Sequence, residues 1–299
     1  MNQGTIAVIV VADDANLTLE YVLSGLVAPL KKGIIKEKLF PEVFVFPEHA
    51  LRKEDITSLL ASHDYVGMGI VGGGDRSLPE LLLGASHANI STVVVTPGVQ
   101  NEKQEGPGLS PEMGIAQALC IVIEALGLSV PFSALVPARS SEEADLAYKA
   151  GRVLGSLVAS DINFNALVTL RALENAAKIV HSCQADMPHV KEALESLGWK
   201  KRGYKTPLLL DCLPKGQYPL NYFWWAGGVM LVASELDDAL SLNEMNISGH
   251  TLGDIIREFR ASKSFGEESK YLRKRGLVSQ DIIHPALIPL SEIQGDEDL

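Results

Sequence analysis

The sequence predicts an α/β protein: three α/β/α layers around a mostly parallel sheet. Two observations carry the prediction. Short β-branched apolar runs bounded by turn residues alternate with segments of helical period, the pattern of parallel strands joined by helical crossovers. The runs are also apolar almost without interruption, as in Ile6-Ala7-Val8-Ile9-Val10-Val11, so both faces of the sheet are covered.

In chain order, strands are expected at Ile6–Ala12, Val43–Phe46, Tyr65–Val71 and Ser91–Thr96. Helical segments fall between them at Leu17–Lys32, Glu54–Ser62 and Leu78–Ala85. The first run lacks a preceding positive charge and is followed by Asp13-Asp14, which reads as a buried strand and not a signal peptide. The apolar stretch Ile115–Phe132 is broken by Gln117 and Glu124 and punctuated by Gly127 and Pro131. That predicts a buried helix over Met113–Leu126 and then a loop, not a membrane span. Residues 141–200 read as mostly helical, opened by a capping box in Ser140-Ser141-Glu142-Glu143. Thr206–Asp211 predicts one further strand, and residues 296–299 a frayed acidic tail.

The chain has 299 residues, long enough for one large or two smaller domains with a sizeable core. Lys and Arg number 26 against 37 Asp and Glu, a net charge of −11. That balance argues against nucleic acid, whose binding needs a surplus of cations facing phosphates. The basic cluster Lys270–Arg275 reads as a solvated face. Three scattered cysteines make no disulfide framework and no Cys-x-x-Cys pair, so a reducing cytoplasm is the expected home. His181, Cys183 and His189 match no common zinc spacing, and structural roles are expected for them. Cys120 reads as core, and Cys212 has no basic neighbour in sequence to activate it. Tyr222-Phe223-Trp224-Trp225 reads as core or as a subunit contact.

The junction Gly72-Gly73-Gly74-Asp75-Arg76-Ser77 lies between a strand and a helix starting near Leu78, with Ser77 and Glu80 spaced as a capping box and Pro79 in the first turn. Glycines here leave backbone N–H groups open at a helix start, an anion cradle with Arg76 as a fork-shaped clamp. The plainer alternative is a tight turn that needs glycine dihedrals. Ser110-Pro111 predicts a second helix start, with serine as cap.

Seven ordered stretches carry a resemblance. The first, Gly74-Asp75-Arg76-Ser77-Leu78-Pro79 within the Gly69–Glu80 run, resembles Cys-Asp-Lys-Ser/Thr-x-Pro-Gly of the dihydroxy-acid and phosphogluconate dehydratase family. Gly106-Pro107-Gly108-Leu109-Ser110-Pro111-Glu112-Met113 is similar to that family's Gly-x-Gly-Thr-Cys-Gly-Gly-Met. Glu124-Ala125-Leu126-Gly127-Leu128-Ser129-Val130-Pro131 and Ala172-Leu173-Glu174-Asn175-Ala176 continue the match. Ala226-Gly227-Gly228-Val229 with Ser248-Gly249-His250-Thr251-Leu252, then Asp281-Ile282-Ile283-His284-Pro285, complete it.

The resemblance implies two intertwined α/β subdomains, about 1–135 and 136–295, forming the family's first domain over 1–295. It also implies homodimers and a site where three cysteines hold an iron–sulfur cluster and an aspartate holds magnesium. Here Gly74 and Ser110 stand at two of the cysteine positions, and no cysteine precedes Cys120. No iron–sulfur cluster is therefore expected. Magnesium at Asp75 stays open as an alternative, with Glu48 roughly where another metal carboxylate falls. The chain ends soon after His284-Pro285, so the family's second, base-bearing barrel domain is expected to be absent. The resulting expectation is a domain that no longer dehydrates. It would bind a small anionic, hydroxy-acid or sugar-acid-like ligand in a pocket lined by Gly73, Gly74, Asp75, Arg76, Ser77 and Ser110, or act as a regulatory or assembly subunit. Two alternatives remain: an atypical hydro-lyase using magnesium or a separately encoded partner domain, and a structural interaction protein with a vestigial pocket.

Overall fold

The computed structural model describes residues 4–12, 17–48, 50–101, 106–200, 206–262 and 270–286; the acidic tail lies outside them. Four parallel strands form one sheet: β1 (Thr5–Ala12), β2 (Phe40–Pro47), β3 (Tyr65–Val71) and β4 (Ser91–Val95) in the order β2-β1-β3-β4. Val8 of β1 stands opposite Val43 on one side and Gly69 on the other. β1, the central strand, is fully buried from Ile6 to Val10, as its unbroken apolar run requires. The three-layer α/β architecture is as the sequence predicts.

Helix α1 (Leu19–Tyr21) runs without a break through a π-helical turn (Val22–Val27) into α2 (Ala28–Lys36). The crossover helices α3 (Lys53–Ala61) and α4 (Ser77–Ala88) pack on each other. Right-handed crossovers put them on the sheet face opposite α2. On the α2 face lies α6 (Ser141–Ala159), parallel to α2 and packed also on β3 and β4. The two helices touch backbone to backbone. A Cβ on Gly33 would overlap the Tyr148 carbonyl, and one on Gly151 the Leu30 carbonyl.

The second half of the chain wraps α5 (Ile115–Ala125), which is buried from Gln117 to Ala125. Helices α7 (Leu170–Ser182), α8 (Pro188–Ser196) and α9 (Gly228–Glu235) surround it. Eleven residues are far too few to cross a bilayer, and no helix among the described residues is long and apolar enough to do so.

Two expectations are corrected. Thr206–Asp211 forms no strand; Leu210 makes a single antiparallel bridge to Ile283. Its short apolar run finds no neighbouring ladder to join. The helix expected from Ser110 or Met113 starts at Ile115 with Gly114 as N-cap. The aromatic run packs into the core, one of the two readings its sequence allows: Phe223 is wholly buried, and Trp225 stacks on Tyr271 at 4.9 Å with planes 5° apart. Arg275, from the basic cluster, lies 5.4 Å from the Tyr222 ring and 5.2 Å from that of Trp225, so part of that cluster is a cation–π lid over the aromatics.

Candidate functional site

In a parallel sheet, ligands bind outside the carboxyl ends of the strands, where the strand order reverses. Here the chain steps from β1 outward to β2, crosses back to β3, and continues to β4, so the reversal lies between β1 and β3. The Gly72–Ser77 junction leaves the carboxyl end of β3 at that point. Gly72 takes φ +150°, and a Cβ there would press on the Val11 carbonyl of β1. Gly73 abuts Pro97 beyond β4, with the Cys120 sulfur next nearest.

The junction brings together Gly73, Gly74, Asp75, Arg76 and Ser77, and it also receives a residue from outside. The carboxylate of Glu48, just past β2, covers Gly74 and would overlap any Cβ at that position. Its Oε1 accepts from the backbone N–H of Ser77 at 3.0 Å and of Arg76 at 3.4 Å. The chain's own carboxylate therefore occupies the helix-start cradle that the glycines leave open. Asp75 and Arg76 are exposed, and Ser77 is buried as the first residue of α4.

The capping box at Ser77 and Glu80 is not formed. Ser77 sits inside the helix, Glu48 supplies the cap, and Glu80 accepts from the Lys53 N–H at 2.9 Å to cap α3. Ser110 is exposed in a turn, its hydroxyl accepting from the Glu112 N–H at 3.3 Å. The Gln117 side chain donates to its carbonyl at 2.9 Å. Among the described residues, no hydrogen bond joins Ser110 to residues 73–77.

The cysteines behave as core thiols. Cys120, Cys183 and Cys212 are free and buried; burial pushes Cys120 up to about 12 and raises the other two. His181 and Lys191 both face Asp186, at 3.4 and 3.0 Å. Among the described residues, no three His, Cys, Asp or Glu side chains are placed to hold a metal ion.

Two buried carboxylates matter as much as Glu48. Glu143, 3 % exposed, accepts from the Tyr21 hydroxyl, from Gly98 N at 2.7 Å and from Arg139 N at 2.7 Å. Burial raises both the Glu143 carboxyl and the Tyr21 phenol. Ser140 caps α6 by accepting from Glu143 N at 3.1 Å, as its spacing predicts. The Glu143 side chain turns inward instead of closing the capping box. Glu124 on α5 accepts from Phe132 N at 2.9 Å and Ala134 N at 2.6 Å. Those bonds hold a loop in which Phe132 and Leu135 adopt positive φ, and burial pushes Glu124 up to about 7. The sequence marks Ser140 as a cap, Glu143 as half of a capping box and, through the resemblance, Glu48 as a metal carboxylate; it does not mark Tyr21 or the contacts of the two glutamates, whose partners lie in remote segments.

A model of the dihydroxy-acid/6-phosphogluconate dehydratase N-terminal region matches residues 98–255, a range that includes Ser110 and begins after the Gly72–Ser77 junction. An L-arabonate dehydratase of Azospirillum brasilense is 25% identical over 77% of this chain and 50% of its own length. A dihydroxy-acid dehydratase of Caldicellulosiruptor bescii is 25% identical over 69% and 46%, and one of Pelagibacter ubique 30% identical over 53% and 29%. The chain thus spans about half the length of the first two of these relatives. Matched by the family model over more than half its residues, it belongs to the dihydroxy-acid/6-phosphogluconate dehydratase family, within that family's N-terminal region.

Proposed function

We propose that this chain is a dehydratase-family domain that does not eliminate water and serves instead as a binding or regulatory subunit. One observation carries the reading. The space a cysteine side chain would need at position 74 belongs to the carboxylate of Glu48, which is bound to the Arg76 and Ser77 N–H groups. An iron–sulfur cluster needs thiolates, and the residues here do not fit one. Gly74 offers no ligand atom, Ser110 offers a hydroxyl tied into its own turn, and the nearby Cys120 is held as a thiol by burial. Magnesium at Asp75 finds no support from Glu48, whose carboxylate is committed to backbone donors. A small hydroxy-acid or sugar-acid anion would enter the cradle only by displacing Glu48, one carboxylate exchanging for another at the same N–H groups.

The test is metal and sulfide analysis of anaerobically purified protein, with elimination assays on hydroxy acids and sugar acids. Iron and sulfide well below stoichiometry, with no keto product, are expected. Stoichiometric cluster or turnover by the chain alone would overturn the proposal. Turnover that appears only with a co-expressed protein would favour the partner-dependent lyase.

A further inference from the structure

A second cleft opens at the carboxyl edge of the sheet, apart from the Gly74 cradle. Its volume is about 490 Å³, the size of a small-metabolite pocket. One wall is the start of the α1 helix, with Thr18, Glu20 and Ser24; the other is the start of α6, with Arg139 and Ser140; Pro107 closes one side. Tyr21 and Glu143 also border it, clasped to each other.

Two departures from regular backbone converge here. Ser24 sits in the π-helical turn, and π-turns recur at functional sites. Arg139 holds φ +61° without being glycine, a strained conformation of the kind that clusters at ligand clamps. Its backbone N–H is bound to Glu143 at 2.7 Å, so the strain fixes where its side chain leaves the wall.

The lining chemistry selects the ligand. No large aliphatic side chain borders the cleft, so the occupant is hydrophilic. Thr18 and Ser140 each accept a backbone N–H, from Tyr21 at 3.4 Å and Glu143 at 3.1 Å. Their own hydroxyl protons are left to donate. The guanidinium of Arg139 and the carboxylate of Glu20 stand on opposite walls, both exposed, and neither forms an ion pair among the described residues. A cation on one wall and an anion on the other match a molecule carrying both charges.

We propose that this cleft binds a small hydrophilic α-amino acid as its zwitterion. The carboxylate lies on Arg139 and Ser140 at the start of α6, and the ammonium on Glu20. A fork-shaped guanidinium beside a helix start suits a carboxylate, and a polar side chain would meet Thr18 and Ser24. The site is independent of the Gly74 cradle, so iron in the protein would sink the preceding proposal without touching this one.

The test uses the full chain, with L-serine, L-glutamine and gluconate as probes, followed by calorimetry and by amide shifts in two-dimensional NMR. At least one of the two amino acids is expected to bind at millimolar concentration or tighter and to move the amide signals of Glu20, Ser24 and Ser140. Glu20→Gln and Arg139→Gln, both at exposed positions, should each weaken that binding roughly tenfold or more while leaving the far-ultraviolet spectrum unchanged. No binding by either amino acid overturns the proposal. So does binding that survives both substitutions, or gluconate binding as tightly as the amino acids and indifferent to Glu20→Gln.

Discussion

Two helices begin at the carboxyl edge of the sheet, and each start uses a glutamate in a different way. At α4 the carboxylate comes from Glu48, 29 residues back in the chain, lies half-buried, and accepts from two adjacent backbone donors. At α6 it comes from Glu143 within the first turn, is buried, and ties three separate segments together through Tyr21, Gly98 and Arg139. The first is a plug that water can replace. The second is a clasp largely closed off from water, and desolvation separates the two roles.

That contrast is open to direct tests. Glu143→Leu takes their acceptor from Tyr21 and Arg139 and leaves the Gly98 N–H only the Tyr21 hydroxyl at 3.2 Å, and should lower unfolding free energy by about 3 kcal/mol in urea titrations; a loss no greater than that of Glu48→Gln would erase the distinction between plug and clasp. Next in size is a pH effect that extends the comparison to Glu124. Burial lifts its carboxyl from 4.5 to about 7, so the folded state holds a proton that the unfolded chain releases. Stability from this group is therefore complete below pH 4.5 and is lost as pH rises toward 7. The slope approaches 1.36 kcal/mol per pH unit, about 3 kcal/mol over the whole window. Glu124→Gln should flatten that share of the profile, leaving the contribution of Glu143 in the same direction.

Gly74→Cys probes the plug. The new side chain must displace the Glu48 carboxylate, at about 1–3 kcal/mol in thermal or urea unfolding. The double variant with Glu48→Ala should recover most of the loss, and simple additivity would show that the two do not share the space. Smallest is Glu48→Gln alone, about 0.5–1 kcal/mol for a weakened helix cap, read by the same unfolding titrations.

Much of the fold is legible in the chain. The unbroken run Ile6–Val11 announces the central strand, and the interrupted run from Ile115 announces the buried helix α5. Ser140, three residues before Glu143, announces the α6 cap. What fails is instructive in each case. Thr206–Asp211 has strand composition, but a strand exists only where a neighbour offers a ladder, and periodicity cannot see the neighbour. Ser110-Pro111 has the local signature of a helix start, yet Gln117 reaches back to the Ser110 carbonyl and the helix begins at Ile115. At the site, the glycines were readable as an open cradle. The resemblance puts Glu48 near Asp75 as a metal carboxylate, but that it fills the cradle was not readable, because Glu48 arrives from another strand and nothing near Gly74 in sequence encodes that approach. The Tyr21–Glu143 contact, spanning 122 positions, is hidden for the same reason.

The Gly33–Gly151 contact bears on everything upstream of it. With main chain pressed on main chain, α2 and α6 behave as one splint, and the walls of the amino-acid cleft are the two free tips of that splint. Its mouth cannot widen by rocking one helix against the other. A guest must fit the gap as built, or enter by loosening only the first turns, where the π-helical stretch interrupts the regular winding.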